Sequence, residues 1–133
     1  MRWFPTMTVR ANVQASFKSV LVLEDNLLIA MDQESMLKQF DNPEVFIASS
    51  VADAENILGG NKVDFALLDV ELQGETSEPI ANRLLSSDVP FAFVSGYDDV
   101  GGSDGPFAKV PSLLKPLSED ALRDALYALG LLR

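Results

Sequence analysis

Short apolar runs recur along this chain with room for one helix between most successive pairs, and that spacing limits the fold more than any other feature. The clearest run is Val63-Asp64-Phe65-Ala66-Leu67-Leu68-Asp69, which ends abruptly on a carboxylate before the chain turns polar toward Gly74. A short apolar run bounded by turn signals fits a strand buried on both faces of a parallel sheet. Ser19-Val20-Leu21-Val22-Leu23 has the same character and ends on Glu24-Asp25-Asn26. Glu44-Val45-Phe46-Ile47-Ala48 and Phe91-Ala92-Phe93-Val94-Ser95 follow, and a short Leu113-Leu114 runs into Lys115-Pro116.

The intervening segments read as helices. Over 27–40, Leu28, Met31, Met36, Leu37 and Phe40 share a face, with Asp25 or Asn26 as cap and Asn42-Pro43 as breaker. A helix over 51–58 has Ser49 or Ser50 to cap it and Gly59-Gly60-Asn61 to stop it. Pro79 sits near the first turn of a helix ending around Ser86-Ser87, with Thr76 or Ser77 as cap. Ser118 caps a last amphipathic helix through Leu129, which Gly130 stops. Strands alternating with helices imply βαβ units and a parallel sheet covered on both faces. With right-handed crossovers, five such units predict a flavodoxin-like α/β doubly wound fold, strand order 2-1-3-4-5. Residues 1–18 carry little pattern and Pro5 blocks a helix there. They are expected to be an N-terminal extension, disordered or docked, ahead of a domain over 19–133.

Composition narrows the chemistry. A chain of 133 residues, 47% apolar and 23% charged, is expected to form one globular domain with a sizeable core. A formal charge of −10 argues against nucleic acid or an anionic membrane surface as partner and favours a cationic partner or a divalent metal. No cysteine or histidine is present, which removes thiolate and imidazole ligands, Ser-His and Cys-His nucleophiles and a phosphohistidine relay. The apolar runs fall far short of the roughly 18 to 20 residues of a membrane span, and the N-terminus has no signal-peptide pattern, so a cytoplasmic location is expected.

In a parallel sheet the strand ends lie at one edge, where ligands bind. That edge would gather Glu24 and Asp25, Asp69, Ser95 and Lys115. Three carboxylates in one crevice call for a divalent cation, and Mg2+ prefers oxygen ligands. A nucleophilic carboxylate, a metal, a hydroxyl and a lysine form a phosphoryl-transfer layout.

The span from Ser19 to Arg133 resembles a response-regulator receiver domain (CheY-like). The acidic pair Glu24-Asp25, the Asp69 of Leu67-Leu68-Asp69-Val70, the hydroxyl of Val94-Ser95-Gly96 and Lys115-Pro116 carry the resemblance. It implies that Asp69 is the phosphoacceptor and that Glu24, Asp25, Asp69 and the backbone carbonyl of Glu71 hold Mg2+. It also implies that Ser95 and Lys115 read the phosphoryl group, with a cis bond before Pro116. Phe91-Ala92-Phe93-Val94-Ser95-Gly96-Tyr97 further resembles the Phe-Ala-Thr-Gly-Tyr signature of a stand-alone receiver subfamily, with Val94 and Ser95 as conservative departures. Glu75-Thr76-Ser77-Glu78-Pro79-Ile80-Ala81 resembles that group's loop and third helix.

Three departures from the common receiver pattern stand out. Gln73 replaces the usual proline, so the loop after Asp69 is expected to be set differently. Ser112 stands where many receivers carry a switching aromatic, leaving Tyr97 as the nearest substitute. Glu71 and Tyr97 occupy positions that in receivers tune how fast water reaches the acyl phosphate. Glycines 101, 102 and 105 with Pro106 predict a fourth helix that is short, displaced or absent, since each glycine costs about 1 kcal/mol and proline about 3 in a helix interior.

The resemblance implies a single-domain response regulator of a two-component system or phosphorelay. Its partners would be a histidine kinase or histidine phosphotransfer protein and an output protein contacted through 97–115 and the last helix. At most it would phosphorylate and dephosphorylate itself. One rival is an aspartate-dependent phosphohydrolase with Glu71 as general acid, though Glu24-Asp25 would then lack a role. The other is a degenerate receiver that only binds.

Overall fold

The computed structural model describes residues 14–96 and 105–133. In chain order its elements are β1 (Ser19–Leu23), α1 (Leu27–Leu37), β2 (Glu44–Ala48), α2 (Val51–Gly60), β3 (Phe65–Asp69), β4 (Glu71–Leu72), β5 (Glu75–Thr76), α3 (Glu78–Ser86), β6 (Phe91–Ser95), a 3-10 turn (Gly105–Phe107), β7 (Ser112–Leu114) and α4 (Glu119–Ala128). Five strands form one parallel sheet in the order β2-β1-β3-β6-β7. Counted without the small β4–β5 hairpin, that is the expected 2-1-3-4-5 order.

Alternation along the central strands explains why the sheet is buried on both sides. Val20, Val22, Phe65, Leu67, Ala92 and Val94 face a core closed by Leu37, Phe40, Leu122 and Leu126. Their neighbours Leu21, Leu23, Ala66, Leu68, Phe91 and Phe93 face the opposite core with Ala54, Ile80, Leu84 and Phe107. Asp64, a polar residue in the apolar run, lies just before β3. Its Oδ2 accepts the backbone N–H groups of Lys18 and Ser19 at 2.9 and 3.2 Å, fixing the start of β1.

Capping follows the sequence at three helices. Asn26 Oδ1 accepts from Leu28 and Ile29 N–H, Ser50 Oγ from Asp53 N–H and Ser118 Oγ from Ala121 N–H. At α3 the Ser77 side chain makes no cap bond. Thr76 Oγ1 instead receives Glu78 N–H at 3.4 Å.

Two helix expectations are corrected. The buried stripe of α1 is Ala30, Gln33 and Leu37, whereas Leu28 and Met31 are 79% and 51% exposed and do not share a core-facing side with Leu37. Apolar side chains are placed here by where the sheet surface lies, and a helix with apolar residues on more than one side does not declare it. The glycine stop after α2 also works differently. Gly59 and Gly60 remain helical, and Asn61 ends the helix in an extended conformation. After α1 the chain reverses through Asp41 and Asn42, both at positive φ, and Gly130 (φ 76) ends α4 as expected.

Between β6 and β7 the described residues hold only the 3-10 turn, whose Phe107 packs edge-to-face on Phe91 and Phe93. Residues 97–104, including Tyr97, lie outside the described residues. The chain just before β1 is docked: Ala15 bridges Leu132, Gln14 and Arg133 exchange backbone hydrogen bonds at 3.3 and 3.0 Å, and Phe17 is buried in the core. Among the described residues no helix is long and apolar enough to cross a membrane.

Candidate functional site

Register brings the strand ends together. Leu23 pairs with Leu68, Asp69 with Val94 and Ser95 with Leu114, so Glu24, Asp69, Ser95 and Lys115 emerge at one edge of the sheet. Lys115 N–H donates to the Ser95 carbonyl at 2.8 Å, tying the last of these ends to its neighbour. The bond between Lys115 and Pro116 is cis.

Glu24 and Asp69 are 2% and 6% exposed, while Asp25 is open to solvent. One carboxylate oxygen from each lies within 4.8 Å of the others. Lys115 Nζ stands 2.8 Å from Glu24 Oε1 and 3.1 Å from Asp69 Oδ2, bridging the two buried acids. Asn26 N–H donates to the other Glu24 oxygen at 2.9 Å. Lys115 Nζ and the buried Glu24 Oε1 thus form an ion pair.

The electrostatics follow from this crowding. Burial, and then the Glu24 charge, push the Asp69 carboxyl up to about 6 against the opposing pull of Lys115. Burial alone would lower Lys115. Its contacts with Glu24 and Asp69 outweigh that and hold it above the ordinary lysine value. One ammonium against three carboxylates leaves the site acidic, so a divalent cation is its natural complement.

The donor set fits Mg2+. All three side chains offer hard oxygen ligands, and Asp25 leaves an open side for retained waters. Neighbouring oxygens of an octahedral Mg2+ lie about 3 Å apart, so the three carboxylates would draw together by up to about 2 Å to share the ion.

The other expected residues are less central. Ser95 is buried at the end of β6. Glu71 is an exposed residue of β4, two positions beyond Asp69. Ser112 begins β7 opposite Phe93, is exposed, and forms no part of the carboxylate cluster. One participant escaped the sequence reading: the backbone N–H of Gln73 donates to Asp25 Oδ2 at 2.7 Å. A main-chain donor carries no residue signature, and the only hint was the absence of proline there.

Known proteins with similar structures or sequences share this architecture. SdrG from Sphingomonas melonis Fr1 superposes with a TM-score of 0.75 at 37% identity, covering 88% of this chain and 99% of that one. The BeF3-activated conformation of SdrG from Pseudomonas melonis Fr1 gives 0.70 at 38% identity, covering 84% and 94%. A CheY-like response regulator receiver domain from Methylobacillus flagellatus, at 20% identity and TM-score 0.71 over 86% of this chain and 99% of that one, shares the fold. Among curated sequences, the sensory transduction protein LytR of Streptococcus agalactiae serotype V is 27% identical over 112 residues, 80% of this chain and 46% of that protein. The chain thus spans about half the length of the curated relatives it matches. No family model matches it.

Proposed function

Since this chain belongs to the response-regulator receiver family, we propose that it accepts a phosphoryl group on Asp69 from a histidine kinase or histidine phosphotransfer protein. The observation that carries this reading is the lysine bridge: Lys115 Nζ touches both Asp69 and Glu24 at the edge where the strands end. In the transfer an Asp69 carboxylate oxygen attacks phosphorus, the donor's bond to phosphorus breaks, and its electron pair leaves with the donor. Lys115 then shifts its contact from the carboxylate to a phosphoryl oxygen, and the Ser95 hydroxyl donates to another. Glu24, Asp25, Asp69 and the Glu71 carbonyl would hold Mg2+, which supplies positive charge to the phosphoryl oxygens. A carboxyl pushed up to about 6 is still ionised at neutral pH and is more basic than an ordinary aspartate, which suits a nucleophile.

The BeF3-activated form of SdrG supports this reading, because a fluoroberyllate group resembles a phosphoryl group in shape and charge. The phosphohydrolase alternative gains nothing: Glu71, its general acid, is exposed, and Glu24 has no task in it. The intact acidic set likewise favours a working phosphoacceptor over a receiver that only binds. The donor would approach over α1, where Leu27, Leu28 and Met31 are exposed and Leu28, Asp32, Lys115 and Pro116 line one groove. Output would pass by protein contact or phosphate relay through 97–115 and α4, in the cytoplasm.

Incubation with Mg2+ and acetyl phosphate tests the assignment. Wild type is expected to gain one acid-stable, base-labile phosphoryl adduct, and Asp69→Asn none. Equal labelling of the two would remove Asp69 from the role, and repeated turnover of unrelated phosphoesters would favour the hydrolase.

A further inference from the structure

Gln73 stands where most receivers carry proline, and the fold gives that difference a function. Its main-chain N–H reaches 2.7 Å to Asp25 Oδ2, a bond that proline, having no N–H, is unable to make. The donor is presented by a small, doubly anchored unit. β4 and β5 pair Glu71 with Thr76 and Leu72 with Glu75, and the turn between them is closed by Gly74 at φ 79. A Cβ at Gly74 would meet no neighbour, so glycine is needed there for its backbone conformation alone. On the far side Glu75 Oε2 accepts Val51 N–H at 3.0 Å, pinning the hairpin to the start of α2.

The hairpin therefore spans from the first turn of α2 to the acidic pair after β1, and its tip ends on a carboxylate. Of the three acids in the cluster, Glu24 is held by Asn26 N–H and Lys115, and Asp69 by Lys115. Asp25 is the exposed member and has no contact with that lysine within ion-pair distance. A short hydrogen bond to an ionised carboxylate is among the stronger kinds, and it fixes the direction in which the remaining lone pairs point. Partners that orient a metal ligand commonly change metal affinity by about 10- to 100-fold.

We propose that Gln73 is a positioning residue for the cation site: its backbone N–H, carried on the β4–β5 hairpin, aims the Asp25 carboxylate at the metal. The inference rests on reading Glu24, Asp25 and Asp69 as the Mg2+ ligands. It makes the hairpin a part of the site that the side chains alone do not reveal, and it assigns the work to a backbone group.

Mg2+ titration calorimetry on Gln73→Pro and Gln73→Ala, with melting temperatures in EDTA, tests it. Gln73→Pro is expected to weaken Mg2+ binding about tenfold with little change in the metal-free melting temperature. Gln73→Ala, the conservative partner that keeps the N–H, retains affinity within about twofold. Wild-type affinity in Gln73→Pro, or equal losses in both variants, would overturn the proposal. Should Gln73→Pro not fold, amide exchange by NMR in metal-free protein decides: the Gln73 N–H is protected in wild type and exchanges about tenfold faster or more in Asp25→Ala. Unchanged exchange there rejects the contact. A wild type that binds no Mg2+ instead overturns the cation-site reading and this inference with it, and the exchange result shows whether the hydrogen bond exists regardless.

Discussion

Asp69 and Lys115 set the site's response to acid. The carboxyl is pushed up to about 6, above the value near 4 of an unfolded chain, so the folded state binds the proton more tightly than the unfolded one. Its contribution to stability is therefore fully present below about pH 4 and is lost as pH rises through 6. In EDTA, the unfolding free energy of wild type from urea titrations is expected to fall between pH 4 and 7 relative to Asp69→Asn, by an amount on the order of 2–3 kcal/mol. Saturating Mg2+ should reverse the difference at pH 7, because the cation binds the ionised form and stabilises only the folded chain. Parallel pH profiles for the two proteins would show that the carboxyl is not held up by burial and the Glu24 charge. Ser112 marks the contrast. The receiver resemblance would make it the switching position, yet a small exposed hydroxyl there has no aromatic ring to move inward.

At the scale of elements, α1 shows how a helix can serve two surfaces. Ala30, Gln33 and Leu37 seat it on the sheet, and Leu27, Leu28 and Met31 remain in water beside the Lys115–Pro116 groove. On the proposed function, such exposed apolar side chains suit a partner that brings its own phosphoryl group to Asp69. Leu28→Ser is expected to slow transfer from a phosphodonor protein at least about tenfold while labelling by acetyl phosphate stays as in wild type. Because Leu28 is 79% exposed, the change should alter stability by no more than about 0.5 kcal/mol. Equal slowing with both donors would place Leu28 in the chemistry and not in docking. The 3-10 turn makes a related point. With Gly105 at φ 72 and Pro106 next to it, a 3-10 turn supplies Phe107 to the Phe91–Phe93 cluster.

Taken as one body, the domain reaches further back along the chain than its strand pattern suggested. Phe17 lies in the same core cluster as Phe65, Leu122 and Leu132, with its ring 6.0 Å from that of Phe65. Gln14 and Ser16 are hydrogen-bonded to the last residues of the chain. The segment before β1 and the segment after α4 thus close one side of the sheet together. Phe17→Ala should cost about 3–5 kcal/mol and lower a single cooperative transition. A loss below about 1 kcal/mol would mean that residues 14–18 dock without joining the core.

The sequence by itself determined the parallel sheet, its strand order and the identity of the charged residues at its edge. Strands buried on both faces must be continuously apolar, and the residue after each such strand must emerge at the same edge. That logic places Glu24, Asp25, Asp69, Ser95 and Lys115 with no knowledge of contacts. Tertiary structure alone decided which side of α1 is buried, since that depends on where the sheet lies relative to a helix apolar on several sides. It also decided that Phe17 joins the core, because a single aromatic carries no period. It decided the hydrogen bond from Gln73 to Asp25 as well, because every residue but proline offers the same N–H and only the path of the chain selects which one arrives.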